Sequence, residues 1–145
     1  MTWKSASLIA VLVLVACVWW LGMNKSIFGT SVATITIQVL AMSLMVWSRF
    51  TFGLRSFHAT ANPTMGGLVT SGPYKYVRHP IYAAVLYLIW AGIAAHASLV
   101  NIGAGLLASA MTALRMVAEE KLLVRTYPAY AEYSRTTKRL VPFLL

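Results

Sequence analysis

Acidic residues are scarce in this 145-residue chain, which has only three, Glu119, Glu120 and Glu132, against twelve lysines and arginines, for a net charge of +9. Charged residues of both signs make up 10% of the chain and hydrophobic residues 59%, whereas a soluble domain carries roughly 25% charged residues. This shortage of charge argues against a soluble fold and indicates a lipid environment. In that environment the positive excess favours anionic membrane lipids as partners over nucleic acid.

Cysteine is scarcer still. Cys17 is the single cysteine, so the chain cannot form an internal disulfide, and no Cys/His cluster has the spacing of a metal site. We therefore expect no bound metal. Because Cys17 lies inside an apolar run, we interpret it as a small packing residue.

Long apolar runs dominate the sequence. A helix needs about 20 apolar residues to cross a bilayer, and somewhat fewer when flanking residues snorkel. The runs predict an all-α, polytopic membrane protein, one domain over 1–145, with a cytoplasmic C-terminal tail. Its four transmembrane helices are expected near 5–23, 32–48, 80–97 and 99–118.

Local signals support two of the predicted helix starts. Ser31 follows Gly29-Thr30 and is a possible N-cap, and Pro80 suits a first helical position. The last run carries small residues that usually mark close helix packing in membranes. They are Gly103, Gly105, Ala108 and Ala110.

The distribution of basic residues predicts the orientation, since cytoplasmic segments carry an excess of Lys and Arg. The connection 49–79 and the tail 119–145 hold most of them, whereas the other side has only Lys25. Both termini and both segments are therefore expected on the cytoplasmic side. The membrane is expected to be a bacterial-type inner or cell membrane.

The first polar cluster is LVTSGPYKYVRHPIY, residues 68–82. It surrounds the start of the third predicted span, where unpaired backbone N–H groups and the helix dipole favour an anion. The alternative is a juxtamembrane anchor, in which Tyr and Arg side chains sit among the headgroups.

The second polar cluster is RMVAEEKLL, residues 115–123. Arg115 and Glu119 are one helical turn apart on one face, which is also compatible with a simple ion pair. Glu120 has no basic residue three or four positions away, so its partner must be the basic loop or a ligand. A helix from Leu99 to Glu119 covers about 30 Å, one bilayer core, and we expect the two clusters to meet at the cytoplasmic interface.

At these residues the chain resembles the isoprenylcysteine carboxyl methyltransferase and phospholipid methyltransferase superfamily. The resemblance covers about 66–142, in order and spacing. Its elements are LVTSGPY at 68–74, RHPIY at 78–82, Arg-x-x-x-Glu-Glu at 115–120, Tyr-Pro-x-Tyr-x-x-Tyr at 127–133 and KRLVP at 138–142.

This resemblance implies a membrane enzyme that uses S-adenosylmethionine. Loop 49–79 and the cytoplasmic end of the last helix would form the cofactor pocket. Glu119 would hold the cofactor, and Arg115 would face the acceptor as substrate-binding and catalytic residue. The pocket would be lined by Leu68, Val69, Tyr74, His79, Pro80, Ile81 and Tyr82.

The acceptor implied is a lipophilic small molecule or prenylated substrate, with a prenylcysteine-like carboxylate first and a lipid amine or small thiol as alternatives. A carboxylate needs no general base. An amine or thiol would lose a proton, for which His79 is the nearby candidate.

Other functions compete with methyl transfer. NADPH-dependent sterol or enone reductases share an Arg-His-Pro-x-Tyr ending, although they typically carry Asn where this chain has Ile81. A non-catalytic four-helix membrane protein is a further alternative. A proton-coupled exporter is disfavoured because spans one and two lack ionisable residues.

Overall fold

The computed structural model describes residues 3–53 and 67–141, with side chains from residue 5 onward. Within these ranges it is helical, as predicted. The elements are α1 Trp3–Met23, α2 Val32–Phe52, a 3-10 helix at Gly72–Lys75, α3 Pro80–Ala95, α4 Leu99–Thr126 and α5 Tyr130–Thr136.

The four long helices pack in a fixed pattern, with α1 against α4, α2 against α3, and α3 against α4. A buried cluster of Cys17, Leu21, Ile89, Ile93 and Ala108 joins α1, α3 and α4, which confirms Cys17 as a packing residue. Small and polar side chains fill other interior positions, whereas large apolar side chains of α1 and α2 point outward. This arrangement is typical of helices that pack in lipid.

The helix starts follow the local signals. The hydroxyl of Ser31 accepts a hydrogen bond from the Thr34 backbone N–H, and Thr34 accepts one from the Ser31 backbone N–H, a capping box that satisfies two donors at the start of α2. Ser98 caps α4 by accepting from the backbone of Asn101. Pro80 is the first residue of α3, as expected.

The helix ends differ from the predicted spans. Helix α2 continues to Phe52, and α4 continues to Thr126, so the first part of the predicted tail 119–145 is still helix. Helix α3 ends at Ala95, before the predicted residue 97, because the backbone of His96 leaves the helical conformation, with φ −133° and ψ 52°.

Among the residues that the structure describes, three helices are long and apolar enough to cross a bilayer, namely α1 from Ser5, α2 and α4. Helix α3 is apolar but has 16 residues, which reach about 24 Å at 1.5 Å per residue, short of a hydrocarbon core of about 30 Å. A fourth crossing therefore stays a prediction.

The small residues of α4 divide into two groups. A Cβ atom at Gly105 would lie 2.5 Å from Ile93 Cδ1, and Ala108 is fully buried, so these two permit close packing of α3 and α4. Gly103 has nothing within 4 Å of such an atom, and Ala110 is exposed. The predicted packing role thus holds within this chain for Gly105 and Ala108 only.

Candidate functional site

The antiparallel arrangement brings four helix ends to one end of the bundle. Arg115 of α4 donates to the hydroxyl of Ser7 near the start of α1, over 3.3 Å. The ring of Phe52, at the end of α2, lies 5.5 Å from that of Tyr74. The start of α3 meets the same region through Tyr82, so polar residues distant in sequence are gathered here.

The C-terminal segment, residues 133–141, lies beside the chain that enters α3. Val77 and Lys138 form a parallel bridge, and the backbone N–H groups of Arg78 and His79 donate to the carbonyls of Lys138 and Arg139 over 2.7 and 3.0 Å. These bonds fix the backbone directly ahead of Pro80.

Tyr74 is held by a hydrogen bond to its backbone and by the tight turn that precedes it. Its carbonyl accepts a hydrogen bond of 2.6 Å from the hydroxyl of Tyr133, and burial raises the pKa of Tyr133 to about 12, so this hydroxyl remains a donor at neutral pH. The turn before Tyr74 requires glycine, because Gly72 has a φ of 56° and a Cβ there would lie 2.6 Å from Thr51 Oγ1.

The two polar clusters meet through Tyr82 and Glu119. The Tyr82 hydroxyl donates to Glu119 Oε1 at 2.5 Å. Arg115 Nε donates to the same hydroxyl and lies 3.2 Å from Glu119 Oε1. The two clusters therefore meet, as expected, and the Arg115–Glu119 ion pair that the sequence left as an alternative is present.

His79 lies between two carboxylates. Its Nε2 is 3.2 Å from Glu120 Oε1, its Nδ1 is 3.9 Å from Glu119 Oε2, and its ring is 5.6 Å from that of Tyr82. Because the His79 side chain is buried, these neighbours determine which way the ring faces.

Glu120 has its own set of cationic partners. Arg78 Nε is 3.2 Å from Oε1, and Arg139 Nη2 is 2.7 Å from Oε2. Arg78 also donates to the carbonyls of Ser134, over 2.7 Å, and Thr137. The sequence expectation that the basic loop or a ligand partners Glu120 is met by Arg78 and His79. The role of Arg139 was missed, although the Lys138-Arg139-Leu140 element marked its segment.

Comparison with known proteins gives the family. The profile of the isoprenylcysteine carboxyl methyltransferase (ICMT) family matches residues 32–125, more than half of the chain. The chain belongs to this family. The match begins at α2, which the resemblance read from the motifs did not include, and it ends before α5, so the segment that carries Arg139 lies outside it.

One curated relative adds little about chemistry. The chain is 33% identical, over 78 residues, to the cobalt-zinc-cadmium resistance protein CzcN of Cupriavidus metallidurans. The aligned region is 53% of this chain and 36% of that protein, so the chain spans about a third of the relative's length. No solved structure matches the chain.

The remaining residues that the ICMT resemblance assigned to the pocket are apolar. Leu68 and Val69 are half-buried in the extended segment before the 3-10 helix, Pro80 is buried, and Ile81 is half-buried in the first turn of α3. Being apolar, they can form walls but donate no side-chain hydrogen bonds. Residues 54–66 of the predicted loop 49–79 lie outside the described residues.

The ionisable side chains at this site differ in their exposure to solvent. Glu119 is 22% exposed, compared with 13% for Glu120, 8% for Arg115 and 5% for His79. Of these four groups, Glu119 is the one that a ligand reaches most easily.

Proposed function

We propose that this protein is an integral membrane methyltransferase that uses S-adenosylmethionine and methylates a lipophilic acceptor, a prenylcysteine-like carboxylate in the first instance. The observation that carries the proposal is the convergence of His79, Tyr82, Arg115 and Glu119 at one end of the bundle in a chain of the ICMT family. The same family membership weakens the reductase alternative.

The residues present fit such a cofactor. Glu119 is a partly exposed carboxylate, which can accept hydrogen bonds from ribose hydroxyls or pair with a cationic group. Tyr74 is buried and already packs on Phe52, which suits a wall of the pocket better than a free stacking surface. When bound, S-adenosylmethionine supplies a methyl group on a sulfonium, already activated for direct displacement.

The remaining task of the protein is alignment in a suitable electrostatic setting. The buried Arg115 guanidinium can hold a carboxylate by two parallel hydrogen bonds. A carboxylate acceptor is already ionised, so the site needs no base for it. The apolar lipid surroundings also suit an acceptor that carries a long hydrocarbon chain.

Cofactor binding tests the proposal directly. Titration calorimetry of the purified protein in detergent should show micromolar affinity for S-adenosylhomocysteine. Glu119→Gln, which keeps the shape but removes the charge, should weaken binding at least about tenfold, equivalent to about 1.4 kcal/mol.

Glu132→Gln is the matched control, because Glu132 is an exposed acid on α5 outside the proposed pocket. It should bind as the wild type does. A folded wild-type protein that binds no S-adenosylhomocysteine would overturn the proposal, and equal weakening by both variants would remove Glu119 from the site.

A further inference from the structure

Glu120 has no part in the proposed contacts with cofactor or acceptor, yet its carboxylate is bonded to several side chains at this end of the bundle. Arg139 makes three contacts with it, two from Nε at 3.1 Å and one from Nη2 at 2.7 Å. Arg78, which precedes α3 in the chain, donates one more hydrogen bond to Glu120. Three separate segments therefore meet on one side chain.

A fifth contact, from His79, connects Glu120 to the proposed pocket. Glu120 Oε1 lies 3.2 Å from His79 Nε2, and a carboxylate can only accept a hydrogen bond. Nε2 must then carry a proton, and in the tautomer protonated there the lone pair is on Nδ1, the nitrogen that faces Glu119 at 3.9 Å. A buried imidazole cannot exchange this contact for solvent.

We propose that Glu120 is a positioning residue, which fixes the orientation and tautomer of His79 and thereby directs Nδ1 toward the pocket beside Glu119. Arg139, brought in by the C-terminal segment, holds the Glu120 carboxylate in the position that this requires. The inference rests on the proposed function only in that the pocket beside Glu119 is taken to bind the cofactor.

The tautomer of His79 is a direct readout that simple anchoring of the C-terminal segment would not change. Nitrogen NMR of protein labelled with 15N-histidine distinguishes the two neutral tautomers. Substituting His58 and His96 by Gln leaves His79 as the single labelled imidazole. In this background we expect one tautomer with the proton on Nε2.

Glu120→Gln should change this result, because an amide can donate to Nε2 as well as accept from it. We expect a mixture of both tautomers and binding of S-adenosylhomocysteine weakened about fivefold to tenfold, an effect of the order of one lost charge-assisted hydrogen bond. Glu132→Gln should leave both measurements unchanged.

A single Nε2-protonated tautomer in Glu120→Gln, with wild-type affinity, would overturn the inference and leave Glu120 as an anchor of the C-terminal segment. If this variant does not fold, Glu120→Asp replaces it, because the shorter side chain keeps its charge for the arginines but withdraws from His79. An unchanged His79 tautomer in Glu120→Asp would overturn the inference in the same way. Failure of the wild type to bind S-adenosylhomocysteine would instead refute the proposed function, while the tautomer would still test the positioning of His79.

Discussion

Glu119 and Glu120 are adjacent in sequence but face different partners, because consecutive residues of an α-helix are rotated by about 100°. Glu119 contacts Tyr82 and Arg115, whereas Glu120 contacts the arginines at positions 78 and 139. The imidazole of His79 lies between the two carboxylates. Glu119 is thus left partly open to a ligand, while the charge of Glu120 is balanced by two arginines.

Arg115 offers a test of the acceptor at the same scale. Arg115→Lys keeps a positive charge beside Glu119 but loses the planar edge that binds a carboxylate by two hydrogen bonds. We expect methyl transfer to fall at least about tenfold, or about 1.4 kcal/mol, with affinity for S-adenosylhomocysteine nearly retained. The measurement is transfer of radiolabel from the methyl donor to lipophilic acceptors in membranes.

The chemistry of the labelled product identifies the acceptor class in the same experiment. A methyl ester releases volatile methanol in alkali, whereas N-methyl and S-methyl products retain their label. Alkali-stable label would exclude the carboxylate. Parallel loss of transfer and cofactor binding in Arg115→Lys would show that Arg115 supports Glu119 rather than the acceptor.

At the scale of elements, local sequence signals predict where helices start better than where they end. The starts at Val32 and Pro80 are marked by a capping serine and by a proline, which act over a few residues. The last apolar span is predicted to end near 118, whereas the helix that contains it continues through charged residues to Thr126, just before Pro128. A change from apolar to charged residues marks the end of burial in lipid, not the end of a helix.

The sequence also predicted which residues gather at the site more completely than it predicted their contacts. The spacing of Arg115 and Glu119 is a local helical property, so their pair was predictable. The contact of Arg139 with Glu120 depends on how α5 and the chain after it turn back against residues 77–79. No local pattern in the sequence encodes that turn.

Helix α3 has an element-scale feature at its far end that can be tested. The Gly92 position faces the loop between α1 and α2, and a Cβ atom there would lie 2.5 Å from the Ile27 carbonyl oxygen and 2.7 Å from that of Ser26. Gln38 of α2 holds the same loop by donating to the Ile27 carbonyl over 2.6 Å. The loop therefore cannot yield without breaking hydrogen bonds.

Gly92→Ala should lower the free energy of unfolding by about 1–3 kcal/mol, the usual cost of overpacking. Gly103→Ala on α4 is the control, because nothing lies within 4 Å of its added atom, and it should not destabilise the protein. Denaturant unfolding in detergent measures both. Equal stability of the two variants would show that the loop between α1 and α2 does not pack on α3 as described.

At the scale of the whole molecule, the pairing of helices determines where the site lies. Since α1 packs on α4 and α2 on α3, the start of α1, the end of α2, the start of α3 and the polar part of α4 share one end. Most basic residues of the described chain are at that end, including Lys75, Arg78, Arg125 and Lys138, while Lys25 lies at the other. The excess of positive charge predicts that the site end is cytoplasmic.

The short helix α3 decides how many times the chain crosses the membrane. Its two ends are joined to α2 and α4, which are long enough to cross a bilayer, so we expect α3 to return the chain to the far side although it reaches only about 24 Å. Local thinning of the bilayer accommodates such a mismatch at modest cost. We therefore expect four crossings, with both termini on the cytoplasmic side.

Single cysteines at exposed positions can map this arrangement in intact cells with a membrane-impermeant maleimide. The wild type supplies the background, because Cys17 is buried in the core. Thr30→Cys and Ala97→Cys should react from outside, whereas Ser71→Cys and Ala131→Cys should react only after permeabilisation, all four sites being exposed. If Thr30 and Ala97 label from opposite sides, α3 does not cross together with α2. The site end would then not be confined to one face of the membrane, and a pocket that needs Tyr82 of α3 and Glu119 of α4 at the same depth could not form.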